Sequence, residues 1–199
     1  MGAPRRLLAL LGLLVILAPL SGAAAQVALA FGGGSGYSHP YPTGLKPGDI
    51  VIGHSPTTDP FIPGYWTHTG IIAYYDSQQG EWMVVEAKAS GVVLTPLSEF
   101  LQRYDTVAVL RVSTSDSVRS QAVQFALARL GYGYDYWWPS KHVYGDRYYC
   151  SELVWAAYKA SGGPDIDENP GWSWTYAYGV APQEIYDDSD TYVIYYHSA

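Results

Sequence analysis

Short apolar runs separated by Gly, Pro and Asp clusters predict strands over 49–53, 69–75, 82–87, 91–95 and 107–112, with a last one over 192–196. The polar stretch Asp76-Ser77-Gln78-Gln79-Gly80 joins the second and third as a hairpin, with Tyr75 expected opposite Glu81. Val118, Ala122, Phe125, Ala126 and Leu130 recur at three- and four-residue spacing. That period predicts a helix over 114–130, capped by Ser115 or Ser117 and stopped by Gly131. A second helix is expected over 151–160, ended by Gly162-Gly163-Pro164, and a helical turn or two over 98–104. Residues 55–66, the aromatic stretch 132–149 and the segment 164–180 read as loops, and no internal repeat is visible. A meander of strands with its helices grouped late implies an α+β domain: an antiparallel sheet or small barrel packed against helices.

The pattern changes character at the N-terminus. Arg5 and Arg6 precede the apolar run Leu7 to Leu20, and Ser21-Gly22-Ala23-Ala24-Ala25 follows. A basic start, a short apolar stretch and small residues at an A-x-A site read as a secretory signal peptide over 1–25, or as an anchor if it is not cleaved. The expected location is therefore secreted or extracytoplasmic. Residues 26–47, dense in Gly and Pro, read as a linker, which leaves 48–199 as the folded domain. No other stretch is long and apolar enough to span a bilayer.

Composition narrows the chemistry. The chain has 199 residues, of which 48% are apolar, 15% aromatic and 15% charged, against a usual charged share of about 25%. The formal charge is −7, and removal of Arg5 and Arg6 with the leader takes it to −9. Without an excess of Lys and Arg, nucleic acid is not an expected partner. A single cysteine, Cys150, excludes an intramolecular disulfide and a multi-cysteine zinc site. No cofactor is expected: zinc between His54 and His68 would lack a third ligand, and the acidic run Asp165 to Asn169 lacks calcium-loop spacing.

Cys150 stands at the start of the second helix. A thiol there feels unsatisfied N–H groups and the positive end of the helix dipole, which favour the thiolate. The same N–H groups can stabilise a developing oxyanion. A buried, inert cysteine is the alternative. A thiolate nucleophile needs a base, and among five histidines His68 leads directly into a strand and so has a rigid seat. Glu86 interrupts the apolar run Met83-Val84-Val85-Glu86-Ala87. If the hairpin pairs as expected, His68 and Glu86 are same-face diagonal neighbours, and the carboxylate can orient the imidazole. A one-residue slip would put them on opposite faces, and the alternative is a solvent-facing Glu86.

These residues resemble a known family. His68-Thr69-Gly70-Ile71, Val85-Glu86-Ala87, Gly91-Val92 with Pro96-Leu97 and Phe100, and then Tyr149-Cys150-Ser151-Glu152-Leu153-Val154 follow one another in a distinctive order. That order resembles the permuted papain-like group of the NlpC/P60 superfamily, to which the bacterial YiiX/YaeF-type proteins belong. The histidine and acid strands there precede the cysteine helix. The resemblance covers about residues 47 to 187 and implies a catalytic domain over 48–199. It implies Cys150 as nucleophile, His68 as general base and Glu86 as the orienting acid. Gly133-Tyr134-Asp135 resembles the family element ahead of the cysteine helix, which points to Tyr134 and Tyr149 for substrate binding. Asp49 in Pro47-Gly48-Asp49 matches the opening strand as a structural residue.

The function so implied is a cysteine hydrolase acting on amide bonds through an acyl-enzyme. Its partner is a small peptide, a peptidoglycan peptide or a lipid amide. The alternatives are a lipid acyltransferase or thioesterase of the same fold, as in lecithin:retinol acyltransferase-like relatives, and a non-catalytic cell-wall or glycan binder that uses its aromatic loop for stacking.

Overall fold

The computed structural model describes residues 36–58 and 62–199. The expected leader lies outside these residues. In chain order the elements are β1 (Ile50–His54), β2 (His68–Asp76), β3 (Glu81–Lys88), β4 (Gly91–Pro96), α1 (Leu97–Gln102), β5 (Thr106–Val112), α2 (Asp116–Leu127), β6 (Gly133–Tyr134), β7 (Arg147–Tyr148), α3 (Cys150–Ala160), α4 (Pro182–Asp187) and β8 (Thr191–Ser198). Six strands form one sheet in the order β4-β3-β2-β1-β5-β8. Every pairing in it is antiparallel.

Both faces of this sheet are covered, which is why its central strands read as unbroken apolar runs rather than alternating ones. Ile50, Ile52, Ile71, Val85 and Leu110 face a core completed by α2 and α3. Val51, Ile72, Val84, Val107 and Val109 face the opposite side, under Leu97, Phe100 and Leu101 of α1 and under Tyr104. Tyr104 lies flat against the backbone of β1, where a Cβ on Gly53 would come within 2.3 Å of its ring. Among the described residues no helix is long and apolar enough to cross a membrane.

Three segments outside the β2–β3 hairpin differ from expectation. The helix predicted over 114–130 closes at Leu127, because the chain turns there to reach the sheet edge. Gly131 N donates to Val92 O, and Val92 N donates to Tyr132 O, both at 2.9 Å. The stretch 132–149 is not only loop, since Gly133–Tyr134 and Arg147–Tyr148 form a short parallel ribbon. The Tyr148 hydroxyl fixes its interior by donating to Val143 O and accepting from Gly145 N and Arg129 Nε, each at 3.0 Å. Finally, residues 37–46 of the expected linker pack as a strap. Tyr37 N donates to Gln102 O at 3.1 Å, and the Tyr41 hydroxyl to Glu81 Oε1 at 2.6 Å. Arg111 Nη2 donates to Gly44 O at 2.9 Å. Arg111 also clamps the buried Asp49 through two 2.7 Å hydrogen bonds, so Asp49 holds the start of β1 in place.

Candidate active site

The site lies where two paired strands part. β2 and β3 are paired from Asp76↔Glu81 to Ile71↔Val85. Beyond that point β3 continues to Lys88 beside β4, and β2 runs back to His68 beside β1. The expected pairing of Tyr75 with Glu81 is off by one: Tyr75 lies opposite Trp82. A bulge between Ile72 and Tyr74 removes the slip, so Ile72↔Val84 and Ile71↔Val85 recover the expected register. His68 and Glu86 therefore share a face. Gly70 lies between them, and a Cβ there would sit 3.2 Å from Glu86 Cβ and 2.6 Å from Val84 Cγ1. Its missing side chain is what lets the carboxylate reach the imidazole.

His68 Nε2 donates to Glu86 Oε2 at 2.7 Å, with both side chains out of contact with solvent. Two further cations close on the same carboxylate. Arg103 Nη2 lies 2.6 Å from Oε1 and 2.8 Å from Oε2, and Lys88 Nζ lies 3.5 Å from Oε1. Burial alone would raise the Glu86 pKa, but the hydrogen bond and charge of His68, with Arg103 and Lys88, hold it far below the usual carboxylate range. The guanidinium of Arg103 itself lies near the rings of Phe100 and Tyr104, 5.0 and 5.4 Å from their centroids. The imidazole of His68 stacks on Tyr104 at 5.7 Å with an interplanar angle of 14°. Ring, acid and base are thus held from behind by α1 and the residues that follow it.

Cys150 enters from the other side, as the first residue of α3. Its backbone N–H has no acceptor within the helix. The Thr69 backbone N–H lies close enough to the sulfur to help lower the thiol pKa. His68 Nδ1, the ring nitrogen turned away from Glu86, is buried without a hydrogen-bond partner, and the Cys150 thiol is close enough for its charge to act on the ring. Burial would raise the thiol, yet the charge and hydrogen-bonding of His68 outweigh it and lower its pKa. Burial would likewise lower His68, and the charges of Cys150 and Glu86 raise it instead. Both shifts run toward a thiolate beside an imidazolium.

A cavity of about 290 Å³ opens beside the sulfur. Its wall includes Ile62, Tyr134, Trp138, Tyr149, Tyr176 and Val180, together with Cys150 and Ser151. Tyr134 is brought there by the ribbon, in which it pairs with Tyr148 just ahead of α3. Burial and then the neighbouring Cys150 charge push its hydroxyl pKa well up, so it stays a protonated donor. Tyr149 is almost fully buried, and its hydroxyl accepts from Val180 N at 3.0 Å. It fixes one cavity wall to the helix that carries the thiol. Glu152, in the first turn of α3, accepts from Tyr149 N at 3.2 Å and from His142 N at 2.7 Å, tying the aromatic loop to the same helix.

The other histidines go elsewhere. His54 Nδ1 faces Asp105 Oδ1 at 2.5 Å and its ring stacks on Tyr65, while His39 and His197 face each other across the strap at 2.9 Å. Among the described residues no three His, Cys, Asp or Glu side chains converge as a metal site. Arg103 and Lys88 have no role in the sequence reading, and Gly70 and Glu152 enter it only as members of the quoted motifs. For Arg103 a signal existed: it is a cation within the apolar turn Phe100-Leu101-Gln102-Arg103-Tyr104.

A family model described as permuted papain-like amidase enzyme, YaeF/YiiX, C92 family, matches residues 44–195. The chain also superposes on the crystal structure of the metalloprotein YiiX from Escherichia coli O157:H7, with a TM-score of 0.60 over 77% of this chain and 98% of that one. The two are 22% identical, so the likeness is one of fold. No curated protein matches the chain.

Proposed function

The chain belongs to the permuted papain-like amidases of the YaeF/YiiX, C92 family, and from that premise we propose that Cys150, His68 and Glu86 carry out amide cleavage through an acyl-enzyme. The observation that carries this reading is the buried His68–Glu86 contact of 2.7 Å, with Cys150 close enough to raise the His68 pKa by its charge. The thiolate attacks the carbonyl carbon, forming a C–S bond as the C=O electron pair moves onto oxygen. The Cys150 N–H and the Tyr134 hydroxyl are the donors for that oxygen. When the C=O re-forms, the C–N bond breaks and the His68 imidazolium gives its proton to the leaving nitrogen. Water, losing a proton to His68, then attacks the thioester, and the acid leaves with Cys150 again a thiolate. Glu86 supports the imidazolium without taking its proton.

Export by the leader over 1–25 is part of the same proposal; it rests on Arg5-Arg6, the Leu7 to Leu20 run and the alanines at 23–25. Sequencing the N-terminus of the exported protein tests it, and an N-terminus near Gln26 is expected.

Because Cys150 is the one cysteine, iodoacetamide labelling reports on it alone. Cys150→Ala is expected to abolish both amide turnover and labelling. Full turnover in that variant would overturn the mechanism. The apolar wall beside the thioester favours a second outcome, transfer of the acyl group to an amine or lipid hydroxyl in place of water. Product analysis with an added amine separates the two: free acid marks a hydrolase and a new amide marks a transferase.

A further inference from the structure

Between Ser173 and Ala177 the chain makes a small hairpin of its own. Ser173 N donates to Ala177 O at 2.9 Å, and Ala177 N returns the bond to Ser173 O at 3.0 Å. Ala177 takes a left-handed φ of 54° to close it, and Ser173 Oγ accepts from Tyr176 N at 2.8 Å. The hairpin is stapled to the aromatic loop ahead of α3, since Tyr178 N donates to Pro139 O at 3.0 Å. Behind the staple, Lys141 turns inward to the buried Asp167 and to Gly179 O at 3.2 Å. Two loops are thus held as one body, and its cation is spent inside.

What this body presents outward is aromatic. Trp174, within the hairpin turn, is 93% exposed, and Trp172, 4.5 Å away between ring centroids, is 49% exposed. Trp137 and Tyr178 stand exposed on the stapled loops. No charged residue occurs over 169–183 or over 136–140, in a chain whose formal charge is −7. An exposed cluster of this kind on a fixed backbone marks a surface that meets a partner, and its loops lose little freedom on meeting it. Without charges, the partner is not recognised by ion pairing, and an anionic surface would be repelled by the rest of the chain.

The geometry of the rings separates the remaining partners. A sugar stacks on one face of a ring whose other face is backed by protein. The indole of Trp174 is almost wholly free and meets Trp172 at 74°, so neither ring continues the other as a flat platform. Rings open on all sides suit immersion in a medium, and Trp and Tyr, apolar in body and polar at one end, settle where hydrocarbon meets water. We propose that the Trp172–Trp174 hairpin, with Trp137 and Tyr178, docks the protein on the interface of an uncharged or zwitterionic lipid bilayer without spanning it. Trp138 and Tyr176 of the same two loops border the Cys150 cavity, so docking turns that side of the molecule toward the bilayer. The surface needs no catalytic role for Cys150.

The test uses the full chain as exported, with vesicles of phosphatidylcholine alone or mixed with phosphatidylglycerol. The native protein is expected to sediment with both, no more strongly with the anionic mixture and with little response to added salt. Its indole emission is expected to be quenched by phosphatidylcholine brominated near the headgroup. Trp174→Ala is expected to weaken partitioning onto phosphatidylcholine about tenfold, and the double variant with Trp172→Ala to weaken it further and to lose the quenching. Neither residue borders the cavity, so the thermal midpoint and iodoacetamide labelling of Cys150 are expected to stay native. Cys150→Ala is expected to bind vesicles as the native protein does, so loss of the amidase mechanism would leave this surface standing.

The inference is overturned if the native protein does not sediment with vesicles. It is also overturned if both variants partition and are quenched like the native protein, which assigns binding to another segment such as an uncleaved leader. Binding that requires phosphatidylglycerol and vanishes with salt would overturn it too. Retention on an insoluble neutral polysaccharide, lost in the same variants and without vesicle binding, would make the surface a glycan site instead.

Discussion

Arg103 grips both oxygens of Glu86 with one nitrogen, Nη2, at 2.6 and 2.8 Å, inside the core. The consequence is electrostatic before it is structural. A carboxylate with no exposure would otherwise take up a proton, and a protonated Glu86 cannot stabilise an imidazolium. Arg103 and Lys88 keep it charged, so His68 feels a full negative charge, which with that of Cys150 raises its pKa.

The same arrangement makes Arg103 costly to remove. Arg103→Met leaves Glu86 buried beside one imidazole and a lysine at 3.5 Å, and breaking a buried pair by removing one partner costs about 3–5 kcal/mol. Urea unfolding of the variant is expected to show a loss of that order. The double variant Arg103→Met with Glu86→Gln is expected to recover part of it, because the uncompensated charge is gone. A loss below about 1 kcal/mol in the single variant would show that the pair contributes little.

Glu86→Gln probes function rather than stability. The amide still fills the position but removes the charge that raises His68. The imidazolium is then lost at lower pH, and the thiol, with a weaker cationic neighbour, ionises at higher pH. The pH window for the ion pair narrows from both ends. The alkylation pKa of Cys150, expected in the native protein to lie below the roughly 8.5 of free cysteine, should move upward, and kcat/KM should fall about 100-fold or more. An unchanged alkylation profile would show that Glu86 does not act on the thiol through His68.

What was legible in the sequence follows from which residues break a pattern. Glu86 stands inside an apolar run, His68 heads a strand and Cys150 heads a helix, and each is a polar or reactive group where packing calls for an apolar one. The central strands could be read because both sheet faces are buried and their runs are unbroken. Arg103 shows in the sequence as a cation in an apolar turn, but its partner is fixed only by how α1 lies over β3. The ribbon of two-residue strands and the six-residue α4 are too short for either period to register. The Ala73 bulge depends on cross-strand packing, which local sequence does not report.

Gly70 gives a sharper test of the site's geometry than any charged residue. A methyl there would press on Val84 Cγ1 at 2.6 Å and Glu86 Cβ at 3.2 Å, with the Val85 carbonyl at 3.1 Å leaving no retreat. Gly70→Ala is expected to push Glu86 off His68, lowering kcat at least tenfold and raising the Cys150 alkylation pKa. Gly162→Ala, where a Cβ meets nothing within 4 Å, serves as a control for backbone strain, since Gly162 has φ of 69° at the end of α3. A wild-type alkylation pKa in Gly70→Ala would show that the glycine is not needed for the His68–Glu86 contact.

Stability should depend on pH through Glu152. Burial pushes its carboxyl up to about 8, against the lowering effect of the His142 and Tyr149 N–H groups. A carboxyl whose folded pKa is raised binds its proton more tightly in the native state. Its contribution is complete below the ordinary glutamate pKa of about 4.3 and is lost progressively as pH rises to about 8. Over that window the folded state holds a proton that the unfolded chain has released, so stability falls with rising pH. Glu152→Gln, always neutral, is expected to flatten this slope, so that its thermal midpoint approaches or passes that of the native protein toward pH 8. Since Glu152 ties the aromatic loop to the helix bearing Cys150, hydrogen exchange in residues 140–146 of the native protein should quicken over the same pH range, after correction for intrinsic rates. Parallel stability curves for native and variant proteins between pH 5 and 8 would show that Glu152 is ionised throughout and that burial does not govern it.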